Sequence, residues 1–217
     1  APLTSLNQEL DASYIDIVPE GLPPMAVSGL FGYLGYDMVR LIENIPDTNP
    51  DDLQIPDSIL IRPKLLVIFD NVGQTICLAT PVYAHAKNSD STAQDTYSAA
   101  QEIIQNAIKT LKTPTEAPQE TTALCTPLSV SSNMSAKEYK AAVHKCINYT
   151  LEGEIFQCVP SQRFSIDFDI ISFAYYRALR RLNPSPFMFH LSFDGFQIVG
   201  ASPEILVRVR DGEVTIR

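Results

Sequence analysis

The chain has 217 residues, 45% hydrophobic, with a net charge of −9 and a pI near 4.7. That acidity excludes nucleic acid as a partner, because phosphate binding needs clustered Lys and Arg. No apolar run approaches the ~18–20 residues that cross a bilayer, so no membrane partner is expected either. The apolar content suffices for a buried core in one large domain or two small ones.

The start, "APLTSLNQELDASY", is polar and acidic, unlike a signal peptide, and a cytoplasmic location is expected. Residues 1–28 read as loop and short helix up to the Pro23-Pro24 break. "GLFGYLGYDMVRLIENIP" (29–46) carries glycines at 29, 32 and 35. This spacing suits close backbone approach in a strand that passes into a helix near Asp37, a candidate cap. It lacks the G-x-x-x-x-G-K-[ST] pattern of a phosphate loop, so close sheet packing is the preferred reading.

"KLLVIFD" (64–70) and "QTICLATPVY" (74–83) predict a hairpin around Asn71-Val72-Gly73. "DTYSAAQEIIQNAIKTLK" (95–112) has helical periodicity and is expected to pack on that hairpin. Residues 113–134, rich in Thr, Pro and Ser, read as a linker between a 1–112 sheet-and-helix subdomain and a second one, 135–217.

Ser135 and Glu138 form a capping-box pattern ahead of a helix with apolar positions Tyr139, Ala142, Val143, Cys146, Ile147 and Leu151, stopped by Gly153. "IFQCVPSQRFSI" (155–166) predicts a strand with Ile155, Gln157, Val159 and Ser161 on one face and an irregularity at Pro160. A third helix is expected over about 170–182. "RRLNPSPFMFH" (180–190) then ends it: Pro184 and Pro186 fix φ and push Asn183 and Ser185 out of the helical region. "FMFHLSF", "FQIVGAS" and "ILVRVR", separated by Asp194-Gly195 and Asp211-Gly212, predict an antiparallel meander. The fold class is therefore α+β, mostly antiparallel sheet with helices on an outer face.

The four cysteines (Cys77, Cys125, Cys146, Cys158) form no C-x-x-C pair and read as reduced core thiols. His85, His144 and His190 make no ligand pattern, so no metal is assigned to any residue. In "GASPE" (200–204), Pro203 presents Glu204 at a strand end, either as a solvated surface residue or as a general acid. Gly200 and Ala201 would leave room for a ligand beside it. Gln157 places an amide on an apolar face, either as a structural hydrogen-bonding group or as a substrate contact. Gln162 and Arg163 beyond Pro160 could bind an anion or cap the sheet.

Four stretches together resemble anthranilate synthase component I, of the chorismate-utilising enzyme family: "GLFGYLGYDMVRLIENIP", "YKAAVHKCINYTLEGEIFQCVPSQRFS", "NPSPFMFHLSF" and "VGASPEILVRVRDGEVTIR". The resemblance implies an α/β/β/α sandwich and a lyase that turns chorismate plus glutamine-derived ammonia into anthranilate and pyruvate in tryptophan biosynthesis. It implies Mg²⁺, an amidotransferase partner subunit (component II) and feedback inhibition by L-tryptophan.

By position, Glu204 matches the glutamate that protonates the departing C4 hydroxyl of chorismate. Burial under a closed site would let an acid in that role hold its proton. Gln157 matches the position where water-adding relatives carry a lysine base, and so would line the substrate site with Gly200 and Ala201. "NPSPFMF" matches one wall of the tryptophan pocket, through Pro186, Phe187 and Met188, with Phe187 where many relatives have Tyr.

The family's P-I-A-G-T-R loop, catalytic histidine and Mg²⁺-holding glutamates match nothing up to Arg217, and its upstream L-L-E-S element has no counterpart either. A first residue other than Met and the strand-like "GEVTIR" at the end also predict a piece of a longer polypeptide, inactive by itself. The competing readings are aminodeoxychorismate synthase component I of the folate pathway, which shares "GASPE", and a non-catalytic regulatory or scaffold module.

Overall fold

The computed structural model describes residues 2–15, 20–23, 26, 29–82, 92–115, 129–210 and 212–216. The chain folds as two compact units, Ala1–Ala117 and Pro118–Arg217. Helices are mixed with strands that pair only in antiparallel fashion among the described residues.

In the first unit, helix α1 (Pro2–Asp11) precedes strand β1 (Phe31–Leu34), a 3-10 helix (Tyr36–Leu41) and strand β2 (Ser58–Ile61). β1 and β2 pair with Gly32 opposite Leu60. A Cβ on Gly32 would overlap the Ile59 carbonyl oxygen, so the glycine spacing does serve close backbone approach. β2, "SILI", is too short for its alternation to stand out in the sequence.

Asp37 is not the helix cap. Gly35 holds that position, and Asp37 instead accepts from Arg40 Nε at 2.8 Å. Arg40 also donates to the carbonyls of Ile45 and Pro46, pinning the chain that leaves the 3-10 helix. Arg62, just past β2, donates to the Glu9 carboxylate and to Ser13 Oγ, tying the end of α1 to this sheet.

β3 (Leu66–Asp70) and β4 (Thr75–Ala79) form the expected hairpin, with a loop of 71–74 rather than three residues. The extra residue is Gln74, whose φ of +52° turns the chain back. Asp70 Oδ1 accepts from the N–H groups of Val72 and Gly73 to hold the turn. Helix α2 (Ala93–Lys112) begins in a Thr92/Asp95 capping box. Among the described residues its backbone makes no extensive close approach to the β3–β4 hairpin, on which it was expected to pack. Amphipathicity specifies a buried stripe, here centred on Ala100, but not what covers it.

In the second unit, β5 (Ser131–Ser132) ends the segment read as linker, whose residues 116–128 lie outside the described ones. Helix α3 (Ala136–Leu151) starts in the expected Ser135/Glu138 capping box and stops at Gly153, φ +81°. The strand expected over 155–166 is reduced to β6 (Phe164–Ser165), which pairs with β5. Residues 155–160 have no ladder among the described residues; Pro160 has no N–H to donate, and Phe156 is fully exposed.

Helix α4 (Ser172–Leu182) ends at Asn183, whose φ of −138° and ψ of 69° lie outside the helical region, which the following proline disfavours. β7 (Phe187–Ser192) and β8 (Gln197–Ser202) form one hairpin, β9 (Val207–Arg210) and β10 (Glu213–Ile216) another. The expected continuous meander is therefore broken between β8 and β9. The break falls at Pro203, which cannot donate to a ladder.

Side-chain burial is sparse. Among the described residues only Ala26, Ala100 and Ser13 are buried. The expectation of an enclosed core is not met, because two-stranded sheets each cover little apolar surface. The most developed packing in the second unit is α4 against β7 and β8.

Candidate functional site

The β7–β8 register lays the two most informative stretches side by side. Phe187 faces Ser202, Met188 faces Ala201 and Phe189 faces Gly200. The proline-flanked kink thus borders "GASPE", and Pro186, Phe187, Met188, Gly200, Ala201 and Glu204 all belong to one hairpin and its ends. Beyond β8, Ser202 Oγ accepts from the Glu204 N–H at 3.3 Å and donates to the Glu204 carbonyl at 2.9 Å. This local turn fixes the backbone from which the Glu204 side chain projects.

Two expectations about this region change. The room beside Glu204 at Gly200 is filled: the Phe189 ring lies across it, and a Cβ there would overlap Phe189 Cζ. Glu204 is exposed rather than buried under a closed site.

Strand alternation separates the residues of the kink. Phe187 and Phe189 share one face of β7, while Met188 and His190 share the other. The Met188 face is the one turned to α4, since His190 Nε2 is 2.9 Å from Ser172 Oγ and its ring meets Phe173 and Tyr176 edge-on. Phe187 and Phe189 are partly exposed on the opposite face.

Gln157 is exposed rather than set into an apolar strand face. It lines a cavity of about 270 Å³ with Val143, Cys146, Phe156, Cys158 and Pro160. That cavity does not include Glu204, Gly200 or Ala201. Gln162 and Arg163 serve the β5–β6 pairing: Gln162 Nε2 donates to Ser132 Oγ at 2.8 Å, and the Arg163 N–H donates to Asn133 Oδ1 at 3.0 Å.

A family model described as chorismate binding enzyme matches residues 3–217. The chain belongs to that family. Anthranilate synthase component 1 of Cereibacter sphaeroides is 45% identical over 216 residues, covering all of this chain and 42% of that protein. The Pseudomonas aeruginosa protein of the same name is 37% identical, across 97% of this chain and 42% of its own length. A solved structure of anthranilate synthase component I from Streptococcus pneumoniae superposes with a TM-score of 0.71 at 29% identity, covering 96% of this chain and 46% of that one. The chain thus spans less than half the length of the curated relatives it matches.

Among the described residues no three His, Cys, Asp or Glu side chains converge on a point that could hold a metal ion. No Mg²⁺ site is therefore assigned to the described residues, and no metal-dependent step is placed on them. No described helix is long and apolar enough to cross a membrane.

One pair was not legible in the sequence. Cys146 and Cys158 are not independent core thiols: their Sγ atoms are 3.5 Å apart, with Cys158 exposed and Cys146 half-buried. Cys77 is half-buried, and Cys125 lies outside the described residues. The available signal was the helix stop at Gly153, which returns the chain beside the helix it has just left.

Proposed function

We propose that this chain is the chorismate-handling and effector-sensing part of an anthranilate synthase component I. The reaction is chorismate plus ammonia to anthranilate, pyruvate and water, with ammonia delivered from glutamine by an amidotransferase partner subunit. The observation that carries the reading is the 45% identity to a protein of that name across the whole chain. The parent is read as a cytoplasmic, Mg²⁺-dependent lyase whose full fold is an α/β/β/α sandwich to which these hairpins and helices contribute.

Within it, Glu204 is the acid that protonates the C4 hydroxyl as it leaves as water. Its position past the Ser202 turn supports this role, since the backbone is held while the carboxyl group stays free to meet substrate. Gln157 lines the substrate site. An amide does not exchange a proton near neutral pH, so water next to it is not activated and ammonia, which needs no base, is the nucleophile. Pro186, Phe187 and Met188 border the site for L-tryptophan, the inhibitor, with Phe187 and Met188 on opposite faces of β7.

The test is anthranilate fluorescence from chorismate, ammonium and Mg²⁺. The full-length protein is expected to produce it and the 217-residue chain alone is not. Aminodeoxychorismate from the full-length protein would replace this reading with the folate-pathway one, and no chorismate consumption would support a non-catalytic module.

A further inference from the structure

Cys146 and Cys158 have no part in the reaction proposed above, yet the fold brings them together. Cys146 lies in the second half of α3, and after the reversal at Gly153 the chain returns with Cys158 alongside, Sγ to Sγ 3.5 Å. Both line the cavity that Gln157 borders. A disulfide is about 2.05 Å long, so the sulfurs need to approach by only about 1.5 Å. Residues 155–160 are held by no strand ladder among the described residues, so Cys158 can make that approach while Cys146 stays on its helix.

We propose that Cys146 and Cys158 are a reversible thiol–disulfide pair, a modification site for small disulfides of the glutathione class. The exposed Cys158 gives its proton to solvent and its thiolate attacks one sulfur of the small disulfide. That S–S bond breaks, a mixed disulfide forms on Cys158, and one small thiolate leaves and is protonated. Cys146 then loses its proton and attacks the Cys158 sulfur, expelling the second small thiol. Two protein thiols are oxidised to one disulfide and the small disulfide is reduced to two thiols, with no net proton change.

The order follows from exposure. It agrees with the Cys146 thiol being pushed up by its contact with Cys158 and then by desolvation, against a smaller opposing pull from Lys145. The crosslink fastens the segment carrying Gln157 to α3, and its formation does not depend on the role assigned to Gln157.

The test equilibrates the natively folded full-length protein with oxidised glutathione, alkylates free thiols and analyses peptides by mass spectrometry. The expected result is a peptide pair joined through Cys146 and Cys158, reversed by reduced glutathione. Cys146→Ser should instead trap glutathione on Cys158, and Cys158→Ser should leave Cys146 largely alkylated. Three results would overturn the proposal: a stable glutathione adduct on wild-type Cys158, pairing of either cysteine with Cys77 or Cys125, or a 146–158 link that forms only in urea.

Discussion

The Phe189 ring lies over Gly200 from the paired strand, so close that a Cβ at position 200 would overlap Phe189 Cζ. The hairpin that carries the candidate acid is thus shaped by a glycine whose missing side chain is replaced by a neighbour's ring. Gly200→Ala should force that ring away and lower stability by about 1 kcal/mol, the low end of overpacking penalties, because the ring is partly exposed and can swing outward. Denaturant unfolding measures it. In a Phe189→Ala background the same change should cost far less, because the clash is gone, and an equal cost in both backgrounds would contradict the contact.

Both long helices open with reciprocal caps. Glu138 is held below the ordinary carboxylate range by hydrogen bonds from the Ser135 backbone, then its side chain. Asp95 is lowered likewise by the Thr92 side chain, then its backbone. Since the folded values are depressed, the stabilisation is fully present above the ordinary carboxylate range of about 4 and is lost as pH falls through the lower folded values. Helical circular dichroism should therefore decline on acidification below about pH 4. Ser135→Ala should cost about 1 kcal/mol at neutral pH and flatten the part of that decline due to Glu138. An unchanged acid profile in Ser135→Ala would show that the cap does not act on Glu138.

Met188 stands on the β7 face turned to α4, paired with Ala201, while Phe187 points the other way. If the kink is an effector wall, Met188→Thr in the full-length protein should weaken tryptophan inhibition about tenfold through lost apolar contact, with turnover largely kept. Inhibition curves at fixed chorismate measure it. An unshifted curve would return "NPSPFMF" to a plain helix-to-strand joint.

Much of the local structure was legible because it rests on short-range chemistry. The Ser135/Glu138 box, the Gly153 stop, the Asn183 break before Pro184 and the β7–β8 hairpin all follow from residues a few positions apart. What failed depended on partners the sequence does not name. The stripe on α2 gave no clue to its cover, and the alternation of 155–159 suggested a strand although no neighbouring strand pairs with it among the described residues. At the site, Glu204 and its neighbours were legible as a turn word, whereas the filling of the Gly200 space by Phe189 requires the register. The Cys146–Cys158 approach needed the return path after Gly153.

The most direct test of the central claim is the turnover of the full-length protein with Glu204→Gln, measured as anthranilate formed from chorismate and ammonium. An acid acting on the leaving hydroxyl predicts a fall in kcat of about 10²–10⁴-fold with the KM for chorismate little changed. Turnover within about twofold of wild type would mean that Glu204 is the solvated surface residue its exposure otherwise describes.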